Sequence, residues 1–307
     1  MSKNKGFTAA DVPDQTGKCF LITGANTGLG FECARVLAAK NARVILACRD
    51  EAKAQAAIDA IRQETPGASL RFLPINLADL DSIRDAANLV QDEPRIDVLI
   101  NNAGVMGTKR LQTAQGLELQ FGVNHLGAFA ITGLLLPKIA EAPQPRVVTT
   151  SSIAHTAAKT ISWDDLTAEK SYNRVTRYAQ SKLANALFFF ELDRRLRAAG
   201  SPVVAVGCHP GIATTELTRH LGPIDALASL SGFMMNSPAS GAWPTLLAAT
   251  GDVEPGGYYG PSSFQEVRGP AGPASRRRAA TNPALATRLW ETSIALSGVD
   301  PGLPAVD

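Results

Sequence analysis

The stretch Thr23-Gly24-Ala25-Asn26-Thr27-Gly28-Leu29-Gly30 constrains this chain more than any other. It follows the apolar run Cys19-Phe20-Leu21-Ile22 and opens the helical pattern Phe31-Glu32-Cys33-Ala34-Arg35-Val36-Leu37. A strand that turns through three glycines into a helix is a natural seat for a phosphate. Glycine lets the backbone turn sharply and approach a ligand, and unpaired N–H groups at a helix start attract anions. The order is glycine, three residues, glycine, one residue, glycine. That differs from the tighter general dinucleotide fingerprint, although the physical logic is the same. Taken alone, the turn equally suits a strand-to-helix connection with no ligand.

The chain beyond the turn narrows the fold. Short β-rich runs at 18–22, 42–47, 70–75, 96–101, 146–151 and 203–207 alternate with helical patterns at 50–63, 81–90, 117–139 and 176–199. Asp50 is placed to cap the second helix. Such alternation predicts crossover connections, hence an α/β fold with a mostly parallel, doubly wound sheet of about seven strands and helices on both faces. Gly257-Tyr258-Tyr259-Gly260 supplies a last strand, and a final helix begins near Asn282 and runs through Ser293. Residues 1–17 read as a polar N-terminal extension lying along one sheet edge. One catalytic domain is expected over 18–262, with 263–307 a loop and helix packed on it.

Composition removes several function classes. The 307 residues carry 30 basic and 28 acidic side chains, a formal charge of +2. No basic stripe with interleaved aromatics offers a nucleic-acid surface. The four cysteines, Cys19, Cys33, Cys48 and Cys208, are scattered in apolar runs with no CxxC pair, as in a reducing cytosol. The N-terminus lacks an apolar signal core, and the richest apolar run, Leu126 to Pro137, falls short of the roughly 20 residues of a membrane helix. A cytoplasmic protein without a transmembrane segment is expected.

Ligands in doubly wound folds gather beyond the carboxyl ends of the strands. The polar residues of interest fall there. The second strand ends at Cys48-Arg49-Asp50 with no acid before Arg49, which favours the 2′-phosphate of NADP over NAD, unless Arg49 is a solvated loop residue. Asn76-Leu77 comes after the third strand, where the amide can meet an adenine edge. Asn101-Asn102-Ala103-Gly104 comes after the fourth, a small turn across which a cofactor can lie. Ser151 and Ser152 end the fifth. Tyr178 and Lys182, four apart, share one helix face. A phenol has an ordinary pKa near 10, too high for efficient proton transfer at neutral pH, and a neighbouring ammonium lowers it. The pair can therefore make a general acid or base; it can equally be two exposed neighbours.

Together these residues resemble the classical short-chain dehydrogenase/reductase family. The resemblance rests on the turn at 23–30, Asn101–Gly104, Asn124 in Asn124-His125-Leu126-Gly127, Ser152, Tyr178 with Lys182, and Pro210-Gly211-Ile212, over roughly residues 15 to 260. Leu46-Ala47-Cys48-Arg49-Asp50, Ser181-Lys182-Leu183-Ala184-Asn185, and His209-Pro210-Gly211 with Thr215-Glu216-Leu217 look like its retinol-dehydrogenase-like branch, which also holds WW-domain oxidoreductases and protochlorophyllide reductases. The resemblance implies a Rossmann-type fold and catalysis by Asn124, Ser152, Tyr178 and Lys182. Tyr178 would move the proton, and Ser152 would bind the substrate oxygen, with Ser151 the adjacent alternative. Lys182 would lower the Tyr178 pKa and hold the nicotinamide ribose, and Asn124 would keep a water near Lys182.

Cofactor contacts are implied for Gly24, Asn26, Thr27, Gly28, Leu29, Gly30, Arg49, Asn76, Leu77, Asn102, Ala103 and Gly104, besides Tyr178 and Lys182. Pro210, Gly211, Ile212 and Thr215 would hold the carboxamide end. Most relatives carry aspartate where Asn76 stands. The branch implies NADP(H) and a hydrophobic alcohol, aldehyde or ketone, and the helices 117–139 and 176–199 resemble the surfaces through which the family forms dimers or tetramers. An apolar lid is expected at 216–250, although the same residues could pack on the core or on a partner. The competing reading is a catalytically weak NADP(H)-binding regulator. An extended-type epimerase would want different glycine spacing.

Overall fold

The computed structural model describes residues 6–212 and 236–306. Eight strands form one sheet: β1 (Cys19–Thr23), β2 (Arg43–Cys48), β3 (Leu70–Pro74), β4 (Val98–Asn101), β5 (Arg146–Thr150), β6 (Val204–Cys208), β7 (Tyr258–Ser263) and β8 (Arg268–Pro273). Their order is β3-β2-β1-β4-β5-β6-β7-β8. Pairings from β3 through β7 are parallel, and β8 returns antiparallel to β7. The fold is thus the expected Rossmann-type sheet. Because β4 lies beside β1, successive connections run in opposite directions from that point, and a crevice opens beyond the strand ends.

Helices α1 (Gly28–Ala39), α2 (Glu51–Glu64), α3 (Leu80–Leu89), α4 (Leu119–Phe121), α5 (Gly127–Ala140), α6 (Arg174–Ala198), α7 (Pro238–Gly241), α8 (Trp243–Thr250) and α9 (Pro283–Ser297) surround the sheet. The N-caps of α2, α3, α6 and α9 are short polar side chains: Asp50, Asp79, Asn173 and Asn282 each accept from an amide of the first turn. Strand side chains alternate between two cores. Phe20, Ile22, Val44 and Leu46 pack with Leu37, Ile58 and Leu246 on one face. Leu21, Ile45, Leu99 and Val147 pack with Phe129, Leu135 and Phe188 on the other. Burial on both faces explains why these strands read as continuous apolar runs.

The strand β8 escapes sequence reading because Arg-Gly-Pro-Ala-Gly-Pro carries loop residues. It can hold Pro273 because that nitrogen faces away from β7 at the sheet edge, and Pro270 because it lies opposite the irregularity between Pro261 and Ser263, where the ladder is already interrupted. Its outer side is met by the N-terminal segment: Phe7 N donates to the Ala271 carbonyl at 2.8 Å, and Ala271 N to that of Phe7 at 2.7 Å. Of the stretch 216–250 expected as a lid, residues 216–235 lie outside the described residues. Its remainder includes α8, whose Leu246 and Ala248 are fully buried against the sheet.

Between α4 and α5 the chain makes a π-turn, Gly122–Leu126, so the helical run Leu119–Ala140 is continuous. By length and composition this run could cross a membrane; it is mostly buried as a core helix. The C-terminal α9 covers it and α6. Trp290 meets Phe129 edge-on at 5.2 Å and stacks on Phe188 at 6.2 Å. His125 Nε2 lies 2.8 Å from Ser293 Oγ. Gly133 approaches Val299 so closely that a Cβ would stand 2.8 Å from it. This cover occupies part of the surface that the family resemblance assigns to subunit contacts.

Candidate active site

A cavity of about 380 Å³ opens beyond the carboxyl ends of β1 to β5. Its floor is the glycine turn: Gly24, Asn26, Thr27, Gly28 and Leu29 line it. Gly24 and Gly28 have φ of +67° and +57°, left-handed values that other residues adopt at a cost. Gly30 does not line the cavity and serves by absence. A Cβ there would stand 2.4 Å from the Gly24 carbonyl and 2.5 Å from Asn102 Nδ2. The turn is tied to the end of β4 by Thr23, whose hydroxyl accepts from the amides of Asn102 and Ala103, both at 3.0 Å. Asn102 Nδ2 returns a bond to the Thr23 carbonyl at 2.9 Å. The sequence does not reveal this role, because a threonine ending a strand carries no signal of its own.

The wall beyond β2 and β3 carries Arg49, Asn76 and Leu77, as expected, and adds Lys53. Arg49 is exposed, and no ion pair holds it among the described residues. Lys53 is exposed too and pairs loosely with Asp50 at 3.7 Å. It lies in the first turn of α2, one turn beyond the end of β2, which brings it back beside Arg49. Asn76 Oδ1 accepts from Ala78 N at 3.2 Å, so a ligand can use its second lone pair and the Nδ2 hydrogens. Asn102, Ala103 and Gly104 complete the floor. Two cations beside a turn whose Gly24 and Gly28 take left-handed φ values suit an anionic dinucleotide.

Tyr178 and Lys182 line the far end, beside Thr150, Ser151 and Pro210. Lys182 is 4% exposed and donates from Nζ to the Thr150 carbonyl at 3.1 Å. Burial draws its ammonium down to about 8. Nζ stands 5.9 Å from the centre of the Tyr178 ring. The expected lowering of the Tyr178 pKa does not appear. Burial raises the phenol above its ordinary value, and the influence opposing that is the Ser152 hydroxyl. The reason is geometric: the ammonium is aimed at a backbone carbonyl.

The two serines separate cleanly. Ser151 Oγ donates to the Lys182 carbonyl at 2.8 Å, turned into α6. Ser152 Oγ accepts from Ala154 N at 3.1 Å, which leaves its hydrogen free to donate on the Tyr178 side. Ser152 itself does not line the cavity. Asn124, in the π-turn, stands behind Gly104. Its Oδ1 accepts from Val105 N at 2.7 Å, and its Nδ2 donates to the Val105 carbonyl and Ser181 Oγ, both at 2.9 Å. A Cβ on Gly104 would fall 3.1 Å from Asn124 Oδ1 and 3.4 Å from Lys182 Nζ, so glycine keeps that space open. Gly211 (φ +71°) and the exposed Ile212 lie beyond Pro210, outside the cavity wall. Thr215 lies outside the described residues.

The family model for short chain dehydrogenases matches residues 18–225. The chain belongs to the short-chain dehydrogenase family. Among curated members it is 40% identical over 294 residues to retinol dehydrogenase 13 of Homo sapiens, covering 92% of this chain and 86% of that one. It is 41% identical over 287 residues to retinol dehydrogenase 12 of Mus musculus, covering 92% and 87%. A short-chain dehydrogenase/reductase of Phomopsis amygdali is 38% identical over 303 residues, covering 92% and 90%. Among solved structures, an uncharacterized protein from Mycobacterium paratuberculosis superposes with a TM-score of 0.80 at 39% identity, covering 98% of this chain and all of that one. A short chain dehydrogenase from Shigella flexneri 2a, solved with NADP, shares the fold with a TM-score of 0.62 at 22% identity.

The protein is therefore a short-chain dehydrogenase/reductase of the retinol-dehydrogenase-like branch, an oxidoreductase that works with NAD or NADP. In this short-chain dehydrogenase, besides Thr23 and Lys53, two residues the sequence missed lie one layer behind the cavity. His155 and His209 are 1% exposed. A histidine three residues after Ser151-Ser152 and another directly before Pro210-Gly211 are the available signal, which points to chemistry only once neighbours in space are known.

Proposed function

We propose that the protein is an NADP(H)-dependent oxidoreductase that reduces hydrophobic ketones or aldehydes, or oxidises the corresponding alcohols. The observation that carries this reading is that Tyr178 and Lys182, with the Ser152 hydroxyl against the phenol, stand at one end of a cavity whose other end is a glycine cradle. Arg49 and Lys53 beside that cradle favour the additional phosphate of NADP(H). Val105, Met106, Leu119 and Val123 make the adjoining wall apolar, which suits a hydrophobic substrate. The relatives' names point to retinol for those proteins. The four free, buried cysteines suit a reducing compartment, and we infer a cytoplasmic protein.

Bound nicotinamide supplies or takes up the hydride. The chain's own residues handle the proton. In reduction the Tyr178 phenol donates to the substrate oxygen. The Ser152 hydroxyl, its lone pair held by Ala154 N, donates a hydrogen bond to the same oxygen as charge develops there. The Lys182 ammonium, anchored on the Thr150 carbonyl and 5.9 Å from the centre of the Tyr178 ring, is placed to hold the nicotinamide ribose, and the Ser152 hydroxyl is the group that favours the phenolate. Oxidation runs the same transfers backwards. With both Asn124 amide hydrogens taken by protein, a relay water would use the second lone pair of Oδ1, in the space Gly104 leaves open.

The test is a panel of hydrophobic aldehydes, ketones and alcohols, retinoids included, followed at the NADPH absorbance band with the wild type and Arg49→Ala. Turnover is expected with NADPH, with kcat/KM falling about 10-fold or more for NADPH in the variant and little for NADH, a loss of roughly 1–2 kcal/mol. Tight NADPH binding without turnover of any panel member would overturn the reading in favour of a cofactor-binding regulator.

A further inference from the structure

Behind the cavity, four side chains from separate parts of the chain meet. His155 lies just past β5, His209 just past β6, Tyr258 begins β7, and Glu266 sits in the turn between β7 and β8. The ring of Tyr258 lies between the two histidines, edge-on to His155 at 5.7 Å and tilted against His209 at 5.3 Å. Its other neighbour is Phe189, stacked at 5.7 Å. Tyr258, His155 and His209 are all buried.

The hydrogen bonds fix which nitrogen carries each proton. His155 Nδ1 stands 2.6 Å from the Ser152 carbonyl. A carbonyl only accepts, so Nδ1 carries the hydrogen, and Nε2 is left as a buried acceptor with no partner. His209 shows the opposite pattern. Its Nδ1 accepts from Gly211 N at 3.2 Å, so Nε2 bears the hydrogen and lies 3.3 Å from Glu266 Oε2. Glu266 is itself anchored, with Oε1 accepting from Ser275 N at 2.8 Å. Gly260 has no side chain because the His209 ring lies against it: a Cβ there would stand 2.0 Å from Nε2.

Two strand-end loops are thus each held by one histidine, Ser152 through its carbonyl and Gly211 through its amide. The Ser152 carbonyl also accepts from His155 N at 3.1 Å, and the Ser152 hydroxyl accepts from Ala154 N, so one tight turn sets where that hydroxyl points. We propose that His155 is a positioning residue for the reaction: its Nδ1–H clamps the Ser152 carbonyl and thereby aims the Ser152 hydroxyl at the substrate oxygen beside Tyr178. His209 performs the matching service for Gly211 through its Nδ1, with Glu266 of the β7–β8 turn 3.3 Å from its Nε2. The β7–β8 hairpin packs behind both loops, with Tyr258 against the two imidazole rings and Glu266 beside His209. This inference rests on reading Ser152 as the hydroxyl that binds substrate.

The experiment compares His155→Ala, His155→Asn and His155→Gln in the full chain, with Ser152→Ala measured alongside. Asparagine places an amide donor close to where histidine carries Nδ1, whereas glutamine fills more of the ring's volume but sets its donor one bond farther out. Expected are a kcat fall of about 10-fold or more in His155→Ala, recovery of most of it in His155→Asn but not in His155→Gln, and an NADPH Kd within about 3-fold of wild type throughout. Recovery by glutamine as well as asparagine would show a packing role and overturn the inference. So would a wild-type kcat in His155→Ala while Ser152→Ala is inactive. A wild-type rate in Ser152→Ala would instead sink the underlying reading of the site. Should His155→Ala fail to fold, the asparagine–glutamine contrast alone decides.

Discussion

The β1–β4 end of the sheet and the β6–β8 end are built by different means. At the first, each ligand-facing residue sits within a few positions of the strand that delivers it: Gly24 to Leu29 after β1, Arg49 after β2, Asn76 after β3, Asn102 to Gly104 after β4. At the second, the groups that matter are assembled from far apart in sequence. His155 and His209 meet Tyr258 and Glu266, and α9 returns from the C-terminus to roof α5 and α6. The contrast predicts that damage at the first end shows in cofactor binding and damage at the second in stability and turnover.

Trp290→Ala tests the second half of that statement with the largest expected effect. Trp290 is 2% exposed and packs on Phe129, Phe188 and the Arg195 guanidinium. Its truncation should cost about 3–5 kcal/mol, read from denaturant unfolding. NADPH affinity at low denaturant should stay within a few fold. Loss of NADPH binding with stability intact would break the comparison.

Gly30→Ala tests the first half. The added methyl, 2.4 Å from the Gly24 carbonyl and 2.5 Å from Asn102 Nδ2, forces the cradle apart. Stability should fall by about 1–3 kcal/mol. Calorimetric titration with NADPH should show binding lost while the sheet, by circular dichroism, remains. Unaltered affinity would mean that this turn does not hold the cofactor.

A smaller effect sharpens the contrast through pH. Burial holds His125, at the α9 joint, down to about 3, and His209 down to about 4. Both are neutral in the fold yet protonate near pH 6.5 once unfolded, so unfolding takes up protons below that pH. Their contribution to stability is complete above about pH 6.5 and is lost as pH falls toward the folded values. The slope approaches about 1.4 kcal/mol per unit for each such histidine. In Tm measured from pH 7 to pH 4.5, His125→Gln should remove one histidine's share of that fall. An unchanged slope would show that His125 titrates normally.

Legibility in the sequence divides along the same line. Parallel strands buried on both faces announce themselves as apolar runs, and capping residues such as Asp50 and Asn282 mark helix starts to within a residue or two. The residues 24–30, 49, 76 and 102–104 could be placed because strand ends face one crevice. The strand β8 could not, since edge position rather than composition lets Arg268–Pro273 pair. Neither could Lys53, whose place beside Arg49 depends on the direction of α2. The proton chemistry was half legible: the spacing of Tyr178 and Lys182 gave one helix face. Only coordinates show Lys182 aimed at Thr150, Ser151 turned into α6 and Ser152 left facing the phenol.

The central claim is that Tyr178 carries the proton at the end of a dinucleotide site. Tyr178→Phe removes one hydroxyl and keeps the ring, so packing is disturbed little. Single-turnover and steady-state rates of NADPH consumption with a good carbonyl substrate should fall by about 10²–10⁴-fold, with the NADPH Kd within a few fold of wild type. A variant that turns over at the wild-type rate would contradict the account.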